Sequence, residues 1–310
     1  MNTLLTTDER YMRRCIELAE HGLLTTRPNP MVSAVLVADG RIIGEGYHIR
    51  PGEGHAEVNA FASVAPADEQ LIPQATLYVS LEPCAHHGKT PPYTDLIIRK
   101  GVRRVVVGCV DPFQEVSGRG IARIREAGIS VDVGVLEQEC RWLNRRFLTF
   151  HEQHRPYILL KWAQTADGFI DRNGKAMPIS TAFTRMLVHK LRSEEDAILV
   201  GHTTDQREHP QLDSRLWGGR NPLRLVLTHE QDLHTMLHNL YEQGRQSLIV
   251  EGGAKTHAAF VAAGLWDELR IETSPQQAGS GTKAINLPEE AILLSSEQYG
   301  PNRISRYIHR

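Results

Sequence analysis

Hydrophobic positions in the first half of the chain fall into short strand-like runs separated by helical patterns. Apolar residues recur at helical spacing over residues 12–19, and Thr6 and Glu9 before them have the spacing of a capping box. The largely apolar stretch at residues 32–38 predicts a buried strand, and residues 102–110 predict another strand. Strands that alternate with helices predict an α/β layered domain.

A second α/β pattern follows a polar segment that ends in Pro156. The residues from Leu136 to Phe150 predict one long helix, and the polar segment after it predicts a domain boundary. We therefore expect a first domain over residues 1–150 and a second over residues 151–310. The first strand of the second domain is predicted at residues 157–164.

Composition and charge narrow the class of protein. The 310 residues contain 35 Lys and Arg against 37 Asp and Glu, so a net charge of −2 offers no general attraction to nucleic acid. No apolar run approaches the ~18 residues of a membrane helix, and the N-terminus lacks the apolar core of a secretory signal. Four cysteines do not make a disulfide framework, so we expect a cytoplasmic protein in which Cys15, Cys109 and Cys140 are packing residues.

One motif in the first half carries recognisable chemistry. His55-Ala56-Glu57 opens a predicted helix, and Pro83-Cys84 follows a predicted strand, which is the layout of zinc-dependent nucleobase deaminases. Histidine and thiolate bind Zn²⁺ and leave a position for water, while a nearby glutamate carries protons. Either half of the motif alone is weak, since a single histidine or cysteine is usually a structural residue. The two together predict a deaminase site.

Longer stretches of the chain resemble a known family. In the first half they are RPNP (27–30), GEGYH (44–48), HAEV (55–58), LEPCAHHGKTPP (81–92), and DP (111–112) with the later GRG (118–120). In the second half they are LLKWAQTADGFID (159–171), DAILVG (196–201) and VEGG (250–253). These stretches are similar to the bifunctional pyrimidine deaminase–reductases of riboflavin biosynthesis, and the similarity covers nearly the whole chain.

The resemblance implies a fold and a set of ligands. The fold class would be α/β, with an N-terminal cytidine-deaminase-like three-layer domain followed by a dihydrofolate-reductase-like α/β domain. The cofactors would be Zn²⁺ and NADPH, and the substrates phosphoribosyl-aminopyrimidines. We expect a homo-oligomer without nucleic-acid or membrane partners.

The resemblance also assigns residues in the first half. His55 and Cys84 would bind zinc, and Glu57 would be catalytic. The residues that would bind substrate are Asn29, His48, Lys89 and Thr90. A lysine and a hydroxyl in a loop suit a phosphate, although a solvated lysine is an equally common interpretation.

The zinc site departs from the family pattern at one position. The family has a second cysteine directly after the TPP triplet, and here that residue is Tyr93. A phenolate is an uncommon zinc ligand because its pKa of ~10 makes deprotonation costly. Three interpretations stay open: Tyr93 binds the metal, His87 binds it instead, or the site binds zinc weakly and deamination is impaired or lost.

In the second half the resemblance assigns a reductase pocket. Glu208 would be catalytic, in a place where the family has an acidic residue. The residues that would bind NADPH are Gln164, Thr204, Glu251, Gly252 and Gly253, and those that would bind substrate are Lys161, Arg192, Leu212 and Arg215. A glycine pair between a strand and a helix lets phosphate approach backbone N–H groups, although it is also a common tight turn. The segment from Thr228 to Leu233 is shorter than the family pattern, in a region that helps hold the cofactor.

Two functions follow, with a third disfavoured. The first is hydrolytic deamination followed by NADPH-dependent reduction of the ribosyl group to a ribityl chain. The alternative is a partly decayed homologue that has lost one or both activities and acts as a single-activity enzyme or scaffold. A nucleic-acid deaminase would need a basic face and stacking aromatic residues, which a charge of −2 and 6% aromatic residues disfavour.

Overall fold

The computed structural model describes residues 5–84, 93–113 and 117–310. The chain forms two compact units, one up to Gln153 and one from His154, so the division lies three residues beyond the predicted boundary. No helix among the described residues is long and apolar enough to cross a membrane.

The first unit is built on a five-stranded sheet. Its elements are α1 (Thr7–Glu20), β1 (Ser33–Ala38), β2 (Arg41–Tyr47), α2 (Ala56–Ala62), a 3₁₀ helix (Pro66–Gln74), β3 (Thr76–Leu81), α3 (Tyr93–Lys100), β4 (Arg104–Cys109), α4 (Arg119–Glu126), β5 (Ser130–Val133), α5 (Glu137–Leu143) and α6 (Arg145–Gln153). The strand order is β2-β1-β3-β4-β5. Strands β3, β4 and β5 are parallel, and β1 is antiparallel to both of its neighbours.

Helices cover both faces of this sheet. On one face Leu36 and Leu77 pack with residues of α2, α3 and α4, and on the other Val35 and Val106 pack with residues of α1 and α5. Such alternation is the period-two signature of strands buried on both sides. Cys15, Cys109 and Cys140 lie fully buried in the second layer of side chains, as predicted for packing residues.

The prediction of one helix from Leu136 to Phe150 is wrong. Asn144 interrupts it between α5 and α6, with φ −100° and ψ 19°. Its side-chain amide donates to the carbonyl of Met31 at 2.9 Å and accepts from the Met31 N–H at 2.8 Å. Two hydrogen bonds to a distant backbone compensate for the helical geometry that this residue gives up.

The second unit is built on a seven-stranded sheet. Its elements are β6 (Tyr157–Gln164), α7 (Ala182–Ser193), β7 (Ala197–Gly201), α8 (His202–Glu208), β8 (Leu223–Leu227), α9 (Leu233–Glu242), β9 (Ser247–Val250), α10 (Ala254–Ala262), β10 (Glu268–Thr273), β11 (Ala291–Tyr299) and β12 (Asn302–His309). The strand order is β11-β12-β10-β6-β9-β7-β8. The strands are parallel except at β12, which is antiparallel to β10 and β11.

The two faces of this sheet have different neighbours. Leu160 and Trp162 of β6 pack with residues of α9 and α10. On the opposite face Leu159 packs with Ile198, Ile249 and residues near α7. The sequence analysis did not predict the β11–β12 hairpin, because β11 is exposed at most of its positions and gives no clear alternation of buried and exposed residues.

Candidate active sites

The first cluster of polar residues surrounds the start of α2. Gly46 lets this helix lie directly on β2, since a Cβ at that position would be 2.5 Å from the backbone nitrogen of Ala60. His55 is the N-cap residue, in an extended conformation, and its side chain makes no capping hydrogen bond. Glu57, in the first turn, is only 2% exposed, and its Oε2 is buried without a hydrogen-bond partner among the described residues.

Glu82 fixes the turn that presents Cys84. The Glu82 carboxylate accepts hydrogen bonds from four backbone N–H groups, those of Asp111 (3.3 Å), Gly118 (2.9 Å), Gly120 (2.9 Å) and Ile121 (3.2 Å). Two of these donors belong to the first turn of α4, where the helix dipole favours a negative charge. A Cβ on Gly120 would collide with the carbonyl oxygen of Pro83, so glycine is required where the two segments meet.

Tyr93 lies beside the same site. The N–H of Thr94 donates to the carbonyl oxygen of Cys84 at 3.4 Å, which brings the start of α3 next to the cysteine. The Tyr93 ring stacks on the His55 imidazole with a centroid separation of 3.9 Å and an interplanar angle of 20°. The structure therefore places Tyr93 in contact with one predicted zinc ligand and adjacent along the fold to the other.

Two predicted substrate-binding residues join this cluster. Asn29 Nδ2 lies 3.0 Å from His48 Nε2, and the His48 ring lies 4.9 Å from the His55 ring, centroid to centroid. Lys89 and Thr90, together with the alternative ligand His87, lie outside the described residues.

Burial shifts the pKa values of the titratable groups around the start of α2 towards their uncharged forms. Burial lowers the pKa of His55 to about 4 and also lowers the pKa of His48. Burial raises the pKa of Glu57 to about 7. Neutral imidazole keeps a lone pair available for a metal, and histidine and cysteine are ordinary zinc donors.

The donor set fits zinc with one unusual member. Among the described residues, no group of three or more His, Cys, Asp or Glu side chains is placed to hold a metal ion. His55 and Cys84 supply two donors of the right chemistry, and the residue at the third position is a tyrosine. The Glu57 oxygen that has no hydrogen-bond partner among the described residues could accept a hydrogen bond from a water or from the substrate.

The second cluster is a row of charges across the sheet of the second unit. The parallel register pairs Lys161 of β6 with Arg270 of β10, and it pairs Leu160 with Val250 of β9. Glu251, the residue after Val250, therefore follows beside Lys161. Lys161 Nζ lies 3.6 Å from Glu251 Oε2, and the lysine is 9% exposed.

Arg192 binds Glu251 in a bidentate pair. Its Nε and Nη2 donate to the two carboxylate oxygens at 2.8 and 2.9 Å, and its Nη1 donates to the carbonyl of Asp213 at 3.1 Å. Burial alone would raise the pKa of Glu251, but Lys161 and Arg192 outweigh it and bring that pKa to about 2. Arg192 and Lys161 are thus brought together by one ionised carboxylate.

The Gly252–Gly253 turn forms the start of α10. A Cβ on Gly252 would lie 2.8 Å from the Cβ of Thr256, so this glycine allows the turn to close on the helix. A Cβ on Gly253 would lie 3.2 Å from Thr204 Oγ1, which places Thr204 beside the turn. Gly253 is the N-cap residue, and the first backbone N–H groups of a helix have no intrahelical partner, so they can donate to a ligand.

The remaining predicted residues of the second half are more scattered. Gln164 accepts a hydrogen bond from Trp162 Nε1 at 2.8 Å, and both residues line a cavity of about 200 Å³ on the α9 and α10 side of the sheet.

Glu208 is exposed at the last position of α8. Arg215 is exposed and pairs with Asp213 at 2.6 Å. Leu212 packs its side chain in the core, so only its backbone is available to a ligand.

Sequence reasoning missed two charged residues of β10. Arg270 and Glu272 are both buried on the α7 face of the sheet, and Glu272 accepts hydrogen bonds from Ser180 and Thr184 at 2.7 and 2.6 Å. The signal was present in the sequence, since two charges spaced by two residues in an apolar strand must share one buried face.

These features define an α/β protein with a zinc-deaminase-like unit followed by a reductase-like unit. Residues 5–109 match the family model described as the cytidine and deoxycytidylate deaminase zinc-binding region. Residues 156–303 match the RibD C-terminal domain.

Full-length relatives agree with both matches. The chain is 44% identical to the riboflavin biosynthesis protein RibD of Actinobacillus pleuropneumoniae, over 97% of this chain and 95% of that protein. It is 33% identical to RibD of Escherichia coli, over 94% of each. A crystal structure from Thermotoga maritima, described as a diaminohydroxyphosphoribosylaminopyrimidine deaminase/5-amino-6-(5-phosphoribosylamino)uracil reductase, has a TM-score of 0.89 and 35% identity, covering 98% of this chain and 99% of that one.

The chain belongs to the RibD family of riboflavin biosynthesis proteins. This confirms the predicted family, the α/β fold class of both domains, and the pairing of a deaminase with a reductase in riboflavin biosynthesis. Its cofactors are Zn²⁺ and NADPH, as predicted. Nothing in these comparisons supports the alternative of a partly decayed homologue.

Proposed function

We propose that the first unit deaminates a diaminopyrimidine carrying a ribose phosphate, at the cluster around His55 and Glu57, and that the second unit then reduces the ribosyl group. The observation that supports the first step is the buried oxygen of Glu57, which has no hydrogen-bond partner among the described residues and lies beside the N-cap histidine of α2. A buried carboxyl group whose oxygen has no partner among those residues favours a role in proton transfer over one in packing.

Each residue of the first site has one part in this reaction. His55 and Cys84 would hold Zn²⁺, which supplies Lewis-acid activation of water when it is bound. Glu57 would move one proton from the attacking water to the ring nitrogen and a second one to the amino group, which then leaves as ammonia. Asn29, which contacts His48, would bind the polar edge of the pyrimidine. Lys89 and Thr90 are proposed to bind the substrate phosphate.

In the second site, different residues would bind the cofactor and the sugar substrate. The Gly252–Gly253 turn and Thr204 would hold the phosphates of NADPH, which supplies hydride when it is bound, and Gln164 is proposed as a further cofactor contact. Glu251 is also proposed as a cofactor contact, although its carboxylate accepts two hydrogen bonds from Arg192 on the α7 face of the sheet. Lys161 and Arg192 would bind the substrate on that face.

Three exposed or peripheral residues complete this proposal. Glu208 would assist proton transfer from the end of α8, Arg215 would bind the substrate phosphate, and the backbone of Leu212 would face the ligand. We also propose residues 1–150 and 151–310 as the limits of the deaminase and reductase domains. We further propose that the protein is cytoplasmic and forms a homo-oligomer. Gel filtration with light scattering tests the oligomeric state.

Measuring the two half-reactions separately tests the proposal. Full-length protein loaded with zinc should release ammonia from the diaminopyrimidine substrate, and it should oxidise NADPH only when the deaminated product is supplied or formed. Glu57→Gln is the matched variant, because it should abolish ammonia release while leaving NADPH oxidation with supplied product unchanged. Ammonia release that survives in Glu57→Gln would contradict the assignment of this site.

A further inference from the structure

Arg270 is a buried cation whose charge is incompletely compensated. It is the third residue of β10 and only 7% exposed, and its Nη1 is buried without a hydrogen-bond partner within the described ranges 5–84, 93–113 and 117–310. Burial lowers the pKa of this guanidinium, and attraction from Glu272 and Glu251 only partly opposes that effect. Burying a charge without a partner is costly, so this position favours binding of an anion.

The neighbours of Arg270 across the sheet are also cations. The strand registers place it between Lys161 of β6 and Arg306 of β12. Like charges directly opposite each other on neighbouring strands destabilise a sheet. Arg306 is compensated by Glu268, to which its Nε and Nη2 donate at 2.8 and 2.6 Å. Lys161 is not compensated in the same way, because its 3.6 Å separation from Glu251 is too long for a hydrogen bond.

The two nearby carboxylates are already engaged elsewhere. Glu251 receives both donors of the Arg192 fork. Glu272 receives hydrogen bonds from Ser180 Oγ (2.7 Å), Thr184 Oγ1 (2.6 Å) and Asn302 Nδ2 (2.5 Å). Arg192 is engaged as well, because each of its three nitrogens donates one hydrogen bond, two to Glu251 and one to the backbone carbonyl of Asp213. Among the described residues, Arg270 Nη1 is thus a buried donor of this face without a partner, and Lys161 Nζ lies beyond hydrogen-bond distance of Glu251.

We propose that Arg270 and Lys161 together bind a phosphate monoester at the second unit's site. The proposal rests on the reductase function above, because that reaction brings two such groups to this unit: the phosphate of the sugar substrate and the 2′-phosphate of NADPH. A dianion beside an arginine and a lysine forms charge-assisted hydrogen bonds and relieves the repulsion between them. Arg270 is thus a further ligand-binding residue of this unit.

Thermal unfolding of the full chain in phosphate, against chloride at equal ionic strength, tests the site directly. Phosphate should raise the melting temperature of the unmodified protein, because a ligand that binds only the folded state stabilises it. Arg270→Met should weaken the apparent phosphate affinity at least about tenfold. It should unfold at an equal or higher temperature in chloride, since it removes an uncompensated buried charge. Arg224→Met, which removes an exposed cation paired with Asp205, should keep the full response to phosphate.

Several results would overturn the proposal. They are a melting temperature of the unmodified protein that does not depend on phosphate, an unchanged phosphate response in Arg270→Met, and a loss of stability in chloride with the response intact. If Arg270→Met does not fold, Arg270→Lys keeps the charge and loses the fork, and it should retain a weakened response. An undiminished response in that variant would count against the bidentate role of Arg270.

Paired ligands identify the source of the phosphate. If the sugar substrate supplies it, Arg270→Met should lose the preference for ribose 5-phosphate over ribose and keep the preference for NADPH over NADH. If the cofactor supplies it, the NADPH preference should fall instead. A variant that changes neither preference would refute the proposal. Because the phosphate response does not require turnover, a protein that binds phosphate through Arg270 but never oxidises NADPH would refute the reductase function alone.

Discussion

The two units hold their functional groups by opposite electrostatic means. Around α2 the groups are neutral imidazoles, a tyrosine and a single buried carboxyl group, and the pKa of His55 is lowered to about 4 by burial. Across the sheet of the second unit they are paired charges, and the pKa of Glu251 is brought to about 2 by Lys161 and Arg192 against the effect of burial. The first site is thus suited to a cation, and the second to an anion.

The difference also shows in how each site uses the chain. His55 and Glu57 belong to one helix start, and Cys84 follows one strand end, so the first site is built from short segments. The second site draws on side chains of β6, β10, α7 and the turn after β9, which only the sheet register brings together. Substitutions at the first site should therefore have large effects on its own reaction. Substitutions at the second site should act by changing the balance between neighbouring charges.

The sharpest test of this contrast is Glu57→Gln, for which we expect the largest effect. Glutamine keeps the shape of the side chain and cannot carry the proton, so ammonia release should fall by about 10²–10⁴-fold. Zinc content, measured by atomic absorption, should stay unchanged because Glu57 is not a proposed ligand. A parallel loss of zinc would instead make Glu57 part of the metal site.

Gly253→Asp tests the anion preference of the second unit. Aspartate is a favourable N-cap residue, so α10 should still form, but its charge should repel the phosphates of NADPH. We expect NADPH to bind about 10- to 150-fold more weakly, from the loss of a charge-assisted contact worth ~1.5–3 kcal/mol. Fluorescence titration measures this affinity, and Gly253→Asn is the neutral control of the same shape. Equal weakening in both variants would show that steric contact with Thr204, rather than charge, is responsible.

Tyr93→Cys tests the cation preference of the first unit. A thiolate at this position would complete a His-Cys-Cys donor set, and we expect zinc affinity to rise by at least about 10–100-fold, with a faster deamination rate. Competition with a chelator measures the affinity. Tyr93→Phe keeps the ring stacked on His55 and removes only the phenolic oxygen. Zinc loss in that variant would identify Tyr93 as a ligand, and unchanged binding would favour the alternative interpretations.

The same contrast explains what the sequence could and could not predict. The HAE and EPC triplets could be recognised from the sequence, because the site residues within each triplet are close neighbours along the chain. Arg270 was missed because its partners are strand neighbours whose register is fixed only by tertiary pairing. The helix break at Asn144 was missed for a related reason, since the backbone of Met31 that replaces the helical geometry lies more than a hundred residues away in sequence.

The smallest expected effect comes from a solvated ion pair in the first unit, set against the buried Arg192–Glu251 pair of the second. Asp8, in the first turn of α1, accepts hydrogen bonds from Arg104 at 3.0 and 2.8 Å and from the Tyr78 hydroxyl at 2.7 Å. The hydrogen bonds from Arg104 hold the pKa of Asp8 below its usual value, and its side chain is 29% exposed. The stabilisation is complete above the unfolded-state pKa of ~3.9 and is lost as pH falls through the lower folded-state pKa.

We therefore expect Asp8→Asn to lower the free energy of unfolding by at most about 1 kcal/mol at pH 7, since solvent screens the pair. The difference between variant and unmodified protein should shrink as pH falls from 5 towards 3, as measured by thermal unfolding at each pH. Arg192→Met, which leaves Glu251 buried without its bidentate partner, should instead cost several-fold more at pH 7, because Arg192 and Lys161 together bring the Glu251 pKa to about 2 against the effect of burial. A deficit in Asp8→Asn that did not change with pH would assign the role of Asp8 to its hydrogen-bond geometry, and it would remove the distinction between a screened pair in one unit and a buried pair in the other.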